Sequence, residues 1–292
     1  MARSCYSRRA VHATLVSTDI LAAHLADPRW VVFDCRHDLA RPAWGSAAYL
    51  ESHIPGARFM HMDEDLAGPL TGRNGRHPLP DAAAFAAKLG AAGVGPGTQV
   101  VAYDAQGGVN AARLWWMLRW LGHDAAAVLD GGLGKWLREA RPQTAELPRI
   151  APAAFAPRAR ALAVDVDFVA SRLHDPGMRL VDARSAERYR GEAEPIDPVA
   201  GHIPGAANRF VRENLEEAGV FKRPEGLREE WLALLAGVSP EHVVHSCGSG
   251  VAACHNLLAM EIAGLAGSKL YPGSWSEWCA DPARPVAKGP TP

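Results

Sequence analysis

No run of apolar residues approaches the roughly 18 that a membrane-crossing helix needs, and the net charge is only −1. The first absence leaves no candidate for a membrane-crossing helix. The second gives no basis for nucleic acid or an anionic membrane surface as partner. Cysteine is sparse: Cys5, Cys35, Cys247, Cys254 and Cys279 are scattered and include no CxxC pair. That pattern fits neither a disulfide framework nor a zinc site, and it points to a reducing, cytoplasmic compartment. The opening MARSCYSRRAV is basic but has no apolar segment of a secretory signal. It reads as a solvated chain end, with an organellar import address as the other reading.

What is present is an internal repeat. WVVFDCR (30–36), SHIPGA (52–57), QVVAYD (99–104) and LDGGLGKW (129–136) recur in the same order as MRLVDAR (178–184), GHIPGA (201–206), HVVHSC (242–247) and YPGSWSEW (271–278). The spacings agree: 19 residues separate Asp34 from His53 and 20 separate Asp182 from His202. A length of 292 residues also suits two domains better than one core. The expected units are 12–139 and 162–285, joined by a Pro- and Ala-rich linker at 140–161.

Within each copy, short apolar runs such as VVF, VVAY and AAVL are bounded by Gly, Pro or Asp and read as strands buried on both faces. Helical patterns lie between them at 81–93, 110–122, 227–237 and 253–264. Strand alternating with helix predicts an α/β fold, each copy a parallel sheet covered by helices on both faces. Ligands of such sheets bind where strand carboxyl ends meet helix N-termini.

The repeat also acts as an internal control. Asp34/Arg36 and Asp182/Arg184, and the histidines His53 and His202, occur in both copies and are read as structural. Cys247 occurs in one; its twin is Asp104. In HSCGSGVAAC (245–254), Gly248, Ser249 and Gly250 let the backbone curl around the sulfur. A thiolate is favoured at a helix N-terminus, so Cys247 is a candidate nucleophile. From these residues alone, a buried structural cysteine at a Gly-rich turn is an equal reading. His242 and His245 are read as solvated or structural, Cys254 as packed, and the tryptophans of LWWMLRW (114–120) as core.

The tandem repeat, the paired HIPGA segments, the single C-terminal cysteine in CGSGV and the closing YPGSWSEW together resemble the two-domain rhodanese family over residues 12–285. The resemblance implies a sulfurtransferase carrying sulfane sulfur on Cys247 as a persulfide, with no metal or organic cofactor. Relatives that handle oxyanions carry Cys-x5-Arg, whereas the sixth residue after Cys247 is Ala253. The neutral Gly-Ser-Gly loop resembles the 3-mercaptopyruvate sulfurtransferases. That likeness implies Arg188 as carboxylate ligand with Arg190 as a second candidate, an ion pair being the alternative for Arg190. It implies Ser249, His77 and Asp63 as a proton relay, and Gly248, Gly250, Val251 and Ala252 as the backbone cradle of sulfur and substrate. Two positions depart from the family: Ile196 stands where an arginine follows Glu-Pro, and Ala252 where a threonine is usual. The expected partners are a small sulfur donor and a thiol acceptor such as thioredoxin or glutathione, or cyanide. A thiosulfate:cyanide sulfurtransferase and a non-catalytic persulfide carrier are the alternatives.

Overall fold

The apolar runs form two parallel sheets in a computed structural model that describes residues 11–291. The basic segment at the chain start lies outside the described residues, apart from Val11. The first sheet contains β1 (Leu15–Val16), β2 (Trp30–Asp34), β3 (Arg58–Phe59), β4 (Gln99–Tyr103) and β5 (Ala126–Leu129), in the order β1-β5-β4-β2-β3. The second contains β6 (Arg179–Asp182), β7 (Ala207–Asn208), β8 (Val243–Ser246) and β9 (Lys269–Leu270), in the order β7-β6-β8-β9. The two orders superimpose. The fifth place in the second sheet is held only by a parallel bridge between Ala163 and Leu270.

In the first half the helices are α1 (Thr18–His24), α2 (Trp44–Glu51), α3 (Ala82–Ala91), α4 (Ala111–Trp120) and α5 (Gly132–Arg138). In the second they are α6 (Val166–Ala170), α7 (Ala186–Arg190), α8 (Pro224–Leu235), α9 (Ala252–Ile262) and α10 (Ser274–Trp278). Helix α8 starts three residues before the apolar pattern because Pro224 sits at its first turn, where its missing N–H costs nothing. Helices α4 and α9 pack against each other across the boundary between halves. Both are buried over most of their length, as helices with apolar residues all round must be. One core cluster therefore runs through both halves, from Phe33 and Trp115 to Leu258 and Cys247.

The features shared by both copies have structural work. Asp34 takes the Arg36 guanidinium at 2.7 Å, and Arg36 reaches on to the Ser52 carbonyl. Asp182, Arg184 and the Gly201 carbonyl repeat the arrangement. His53 stacks on Tyr49 and His202 on Tyr189, each with Nδ1 on that tyrosine's carbonyl. Residues 145–162 form no helix or strand; they lie along the first half, Arg158 donating to Leu121 and Arg160 to Trp120. Among the described residues no helix is long and apolar enough to cross a membrane.

Candidate active site

Cys247 follows the last residue of β8, at the carboxyl edge of the second sheet, and its side chain is buried. The backbone then turns sharply into α9. Gly250 makes the turn at φ +75°, and a Cβ there would lie 2.4 Å from the Pro272 carbonyl oxygen, so only glycine fits. This curl aims two N–H groups at the sulfur: Gly250 N–H donates to Sγ at 3.1 Å and Ser249 N–H at 3.4 Å. The other predicted cradle residues do not make this contact. Gly248, Val251 and Ala252 line the cavity in front of Cys247 without an N–H bond to Sγ, because the tight turn directs only two successive donors inward.

The cavity, ≈ 390 Å³, lies between the halves. Cys247, Ser249, Arg184, Arg188 and Ile196 come from the second half, and His37, Met62, Arg76, His77 and Asn110 from the first. A larger groove of ≈ 790 Å³ adjoins it and shares His37, Leu39, Phe210 and Val211.

Three of the predicted residues meet across the boundary. Ser249 Oγ and His77 Nδ1 are 2.7 Å apart, and His77 Nε2 is 3.0 Å from Asp63 Oδ1. A carboxylate only accepts, so Nε2 carries the hydrogen and Nδ1 presents its lone pair to the serine hydroxyl. His77 is buried whereas Asp63 is 41% exposed. Burial above all, helped by the Arg113 cation, pushes the His77 pKa from an ordinary 6.5 down to about 4. The ring is thus neutral at physiological pH, and its contact with Asp63 is a hydrogen bond rather than an ion pair.

His245 and His255 are likewise buried, with pKa values pushed to about 3 and about 4. Between 6.5 and these values the unfolded chain binds more protons than the native one, so stability rises with pH across that window. Below both its values, each ring costs the native state a few kcal/mol, about 3 for His77 and His255 and about 5 for His245. The urea midpoint is therefore expected to fall steeply on acidification from about pH 6.5 towards pH 4. A midpoint that stays level over that range would contradict this assignment.

Arg188, on α7, lines the cavity; Arg190 does not. Two positions apart on a helix, the two side chains diverge, and Arg190 pairs with Glu192 at 2.8 Å on the surface. Of the two readings for Arg190, the ion pair is the one its contacts match. The structure also revises the picture of a loop without cations. Arg188 and a second guanidinium, Arg76, both flank Gly248, the residue that follows the cysteine.

The sequence reading missed Arg76 and two further residues. Arg113 is the single charged side chain on the buried stretch of α4; its guanidinium binds the carbonyls of Leu66, His77 and Gly250. Ser274 takes a left-handed backbone, φ +54°, and its Oγ accepts the Cys247 N–H at 3.1 Å. Its signal lay in the repeat, since Gly132 holds the matching position with the same φ.

The twin loop of the first half shows what the cradle accommodates. There the Asp104 carboxylate accepts N–H bonds from Gln106, Gly108, Asn110 and Ala111 at 2.7–3.0 Å. Complete burial, the largest influence, raises the Asp104 pKa against the pull of these four donors. The loops also brace one another. Arg113 of the first half donates to Gly250 of the second, and His255 of the second donates to the Gly107 carbonyl of the first at 3.0 Å.

Among the described residues, one group has metal-ligand geometry: His37, Asp63 and His77, with ligand atoms within 4.8 Å of one another. Both His77 nitrogens are already engaged by Ser249 and Asp63, so an ion there would displace the proton-relay contacts.

Two parallel α/β units share a cleft, with a cradled cysteine in one and a carboxylate in its twin, a tandem-domain architecture with one candidate nucleophile. The rhodanese-like domain model matches the chain twice, at residues 17–139 and 165–281, and the chain belongs to the rhodanese family. It is 47% identical over 280 residues to a probable 3-mercaptopyruvate sulfurtransferase from Pseudomonas aeruginosa, covering 95% of this chain and 99% of the relative. It is 38% identical to a thiosulfate sulfurtransferase from Bos taurus, covering 79% of this chain and 78% of that one. The crystal structure of SseA from Escherichia coli, described as a 3-mercaptopyruvate sulfotransferase with the rhodanese fold, matches with a TM-score of 0.78 at 32% identity. That match covers 90% of this chain and 99% of the other. The chain is an enzyme of the sulfurtransferase class, which sets aside the reading as a non-catalytic carrier.

Proposed function

We propose that the chain moves sulfane sulfur from 3-mercaptopyruvate to a thiol or cyanide through a persulfide on Cys247, releasing pyruvate. The observation that carries this reading is the cysteine sulfur held by two N–H groups, with Arg188 on one side and the Ser249–His77–Asp63 chain on the other. The unit at 162–285 supplies the nucleophile and the unit at 12–139 completes the site across the cleft.

In the first step the Cys247 thiolate attacks the donor sulfur. An S–S bond forms, the donor C–S bond breaks, and its electron pair stays on carbon as the pyruvate enolate. The Ser249–His77–Asp63 chain takes the proton of the donor thiol through the serine hydroxyl onto His77 Nδ1 and returns it to that carbon, and the donor carboxylate is held by Arg188. The N–H groups of Ser249 and Gly250 receive the negative persulfide. In the second step an acceptor thiolate, thioredoxin or glutathione, or cyanide, attacks the outer sulfur, and Cys247 leaves as thiolate. A thiol that must stay reduced between turnovers suits a reducing compartment such as the cytoplasm.

The two guanidiniums beside Gly248 also suit a doubly charged donor, which keeps thiosulfate as a second reading. Steady-state comparison of the two donors decides: kcat/KM should be higher with 3-mercaptopyruvate, and the reverse order overturns the donor assignment. Arg188→Ala is expected to raise KM for 3-mercaptopyruvate by about 10-fold or more, the loss of a charge-assisted pair. An unchanged KM would remove Arg188 from the carboxylate site.

A further inference from the structure

His37 takes no part in the proposed chemistry, although it stands where the active-site cavity and the larger groove meet. It is 7% exposed, and its Nε2 is buried; among the described residues neither ring nitrogen has a hydrogen-bond partner. A buried nitrogen in that state is uncommon and marks room for a partner that the chain itself does not supply. The geometry points to a zinc site formed by His37, His77 and Asp63, at which Zn²⁺ inhibits sulfur transfer by disabling the proton relay. The site stands on its own geometry, and the inhibition rests on the relay of the proposed function.

His37 follows β2, and its carbonyl accepts from Gln106 Nε2 at 2.7 Å, which fixes the backbone and leaves the ring unbonded. The His77 ring stands edge-on to it, with 87° between the planes and 6.2 Å between the centroids. One ligand atom from each of His37, Asp63 and His77 lies within 4.8 Å of the other two, and the His77–Asp63 pair is already at 3.0 Å. Zinc holds nitrogen and oxygen at about 2.0–2.2 Å in a tetrahedron, which sets the ligand atoms about 3.3 Å apart. Two of the three ligands are close to that spacing, and His37 has to close by about 1.5 Å at most, with no hydrogen bond of its ring to break. The open side at Asp63 leaves the fourth position to water. Two imidazoles and one carboxylate suit Zn²⁺, whereas Mg²⁺ and Ca²⁺ prefer shells of oxygen. The Arg113 and Arg76 cations oppose a dication beside His77, and the Asp63 and Asp38 carboxylates favour one beside His37. With three protein ligands rather than four, this is a site for reversible binding and not a structural centre.

The effect of the ion follows from the tautomer. His77 carries its hydrogen on Nε2, towards Asp63, and keeps the Nδ1 lone pair for Ser249. Zn²⁺ binds only a nitrogen with a lone pair, so an ion between His77 and Asp63 takes Nε2 and sends the hydrogen to Nδ1. The Asp63 carboxylate, freed from accepting Nε2–H, becomes a ligand of the ion. The ring stays neutral with one hydrogen, but Nδ1–H now donates to Ser249 Oγ and has no lone pair with which to take the serine proton. The donor thiol then keeps its proton, and the pyruvate carbon receives none. One ion thus stops the relay without touching Cys247, while the contact of His77 with Ser249 across the cleft is kept.

The test measures Zn²⁺ binding by calorimetry in the full chain carrying Cys247→Ser, so that the thiol is not a ligand. Co²⁺ in the same protein should give the d–d bands of a low-coordinate ion without sulfur-to-metal charge transfer. Adding His37→Phe, which breaks no hydrogen bond of the ring, is expected to weaken binding at least about 10- to 100-fold, the loss that even an outer-shell partner brings. His37→Gln should do the same, and Ser249→Ala, which leaves all three ligands in place, should not. Inhibition is read as the ratio of pyruvate release with and without Zn²⁺, the free ion being fixed by a chelator buffer, so the basal rate of each variant drops out. In wild type that ratio should fall at least about 10-fold, Mg²⁺ should have no effect, and both His37 variants should relieve the inhibition. Equal Zn²⁺ binding with and without His37, or equal inhibition of wild type and both His37 variants, overturns the inference, the second by placing the ion on the Cys247 thiol. Binding that depends on His37 while pyruvate release is unaffected would keep the site and refute the relay. A wild-type enzyme that releases no pyruvate, with binding still dependent on His37, would refute the donor assignment and leave the site standing.

Discussion

Asp104→Ala is expected to cost about 3–5 kcal/mol of stability, although Asp104 takes no part in the proposed chemistry. Its carboxylate is the acceptor for four buried backbone N–H groups, and alanine leaves all four without a partner. Each unsatisfied buried donor costs about 1–3 kcal/mol, but the sum is not reached because water can enter. The loop borders the open groove lined by Ala105, Gln106 and Gly107, which gives that water a route. Asp104→Asn should lie between wild type and alanine, since its amide keeps one acceptor and turns N–H against N–H at the other. Urea unfolding of the three proteins measures this, and a loss below about 1 kcal/mol for alanine would show that the loop holds its shape without the carboxylate.

His77→Ala is expected to lower kcat with 3-mercaptopyruvate about 10²- to 10⁴-fold, the usual worth of a positioned proton-transfer group. KM should move little, because the donor's charge is met at Arg188 and not at the imidazole. The direction of proton flow follows from the tautomer: Asp63 holds Nε2–H, so Nδ1 faces Ser249 and only that nitrogen can exchange a proton with the hydroxyl. Asp63→Asn should accordingly lower kcat by allowing the other tautomer, with a smaller effect because Asp63 is partly exposed. A kcat within about threefold of wild type in His77→Ala would leave Ser249 and His77 as a latch across the cleft, without a role in proton transfer.

The fold was legible because the chain states it twice. A repeat of strand-like runs, HIPGA turns and Gly-rich loops gives two parallel sheets, and the mismatch at Asp104 and Cys247 singles out one loop. The relay of Ser249, His77 and Asp63 was reachable only through family likeness, since 172 residues separate His77 from Ser249 and no local pattern links them. Arg190 stayed between a binding role and an ion pair because Arg188 looks the same in sequence, and only the direction in which a short helix points them tells the two apart. Arg76 and Arg113 were missed for a related reason. Each acts on a carbonyl or carboxylate of the other half, and one-dimensional spacing carries no trace of a contact made by docking two domains. Ser274 is the exception: a serine opposite the glycine of the sister copy was visible, but its backbone angle was needed to give it meaning.

The reciprocal grip of Arg113 on Gly250 and His255 on Gly107 joins the two loops into a closed mechanical circuit. Each loop is held by its own half and braced in addition from the opposite side, so the stiffness of either cradle is shared between the halves. The contact beside Gly107, in the copy without the cysteine, runs through His255 to α9, the helix that follows the turn aiming N–H groups at Cys247. The half without the cysteine thereby forms part of the support of the loop that holds the sulfur.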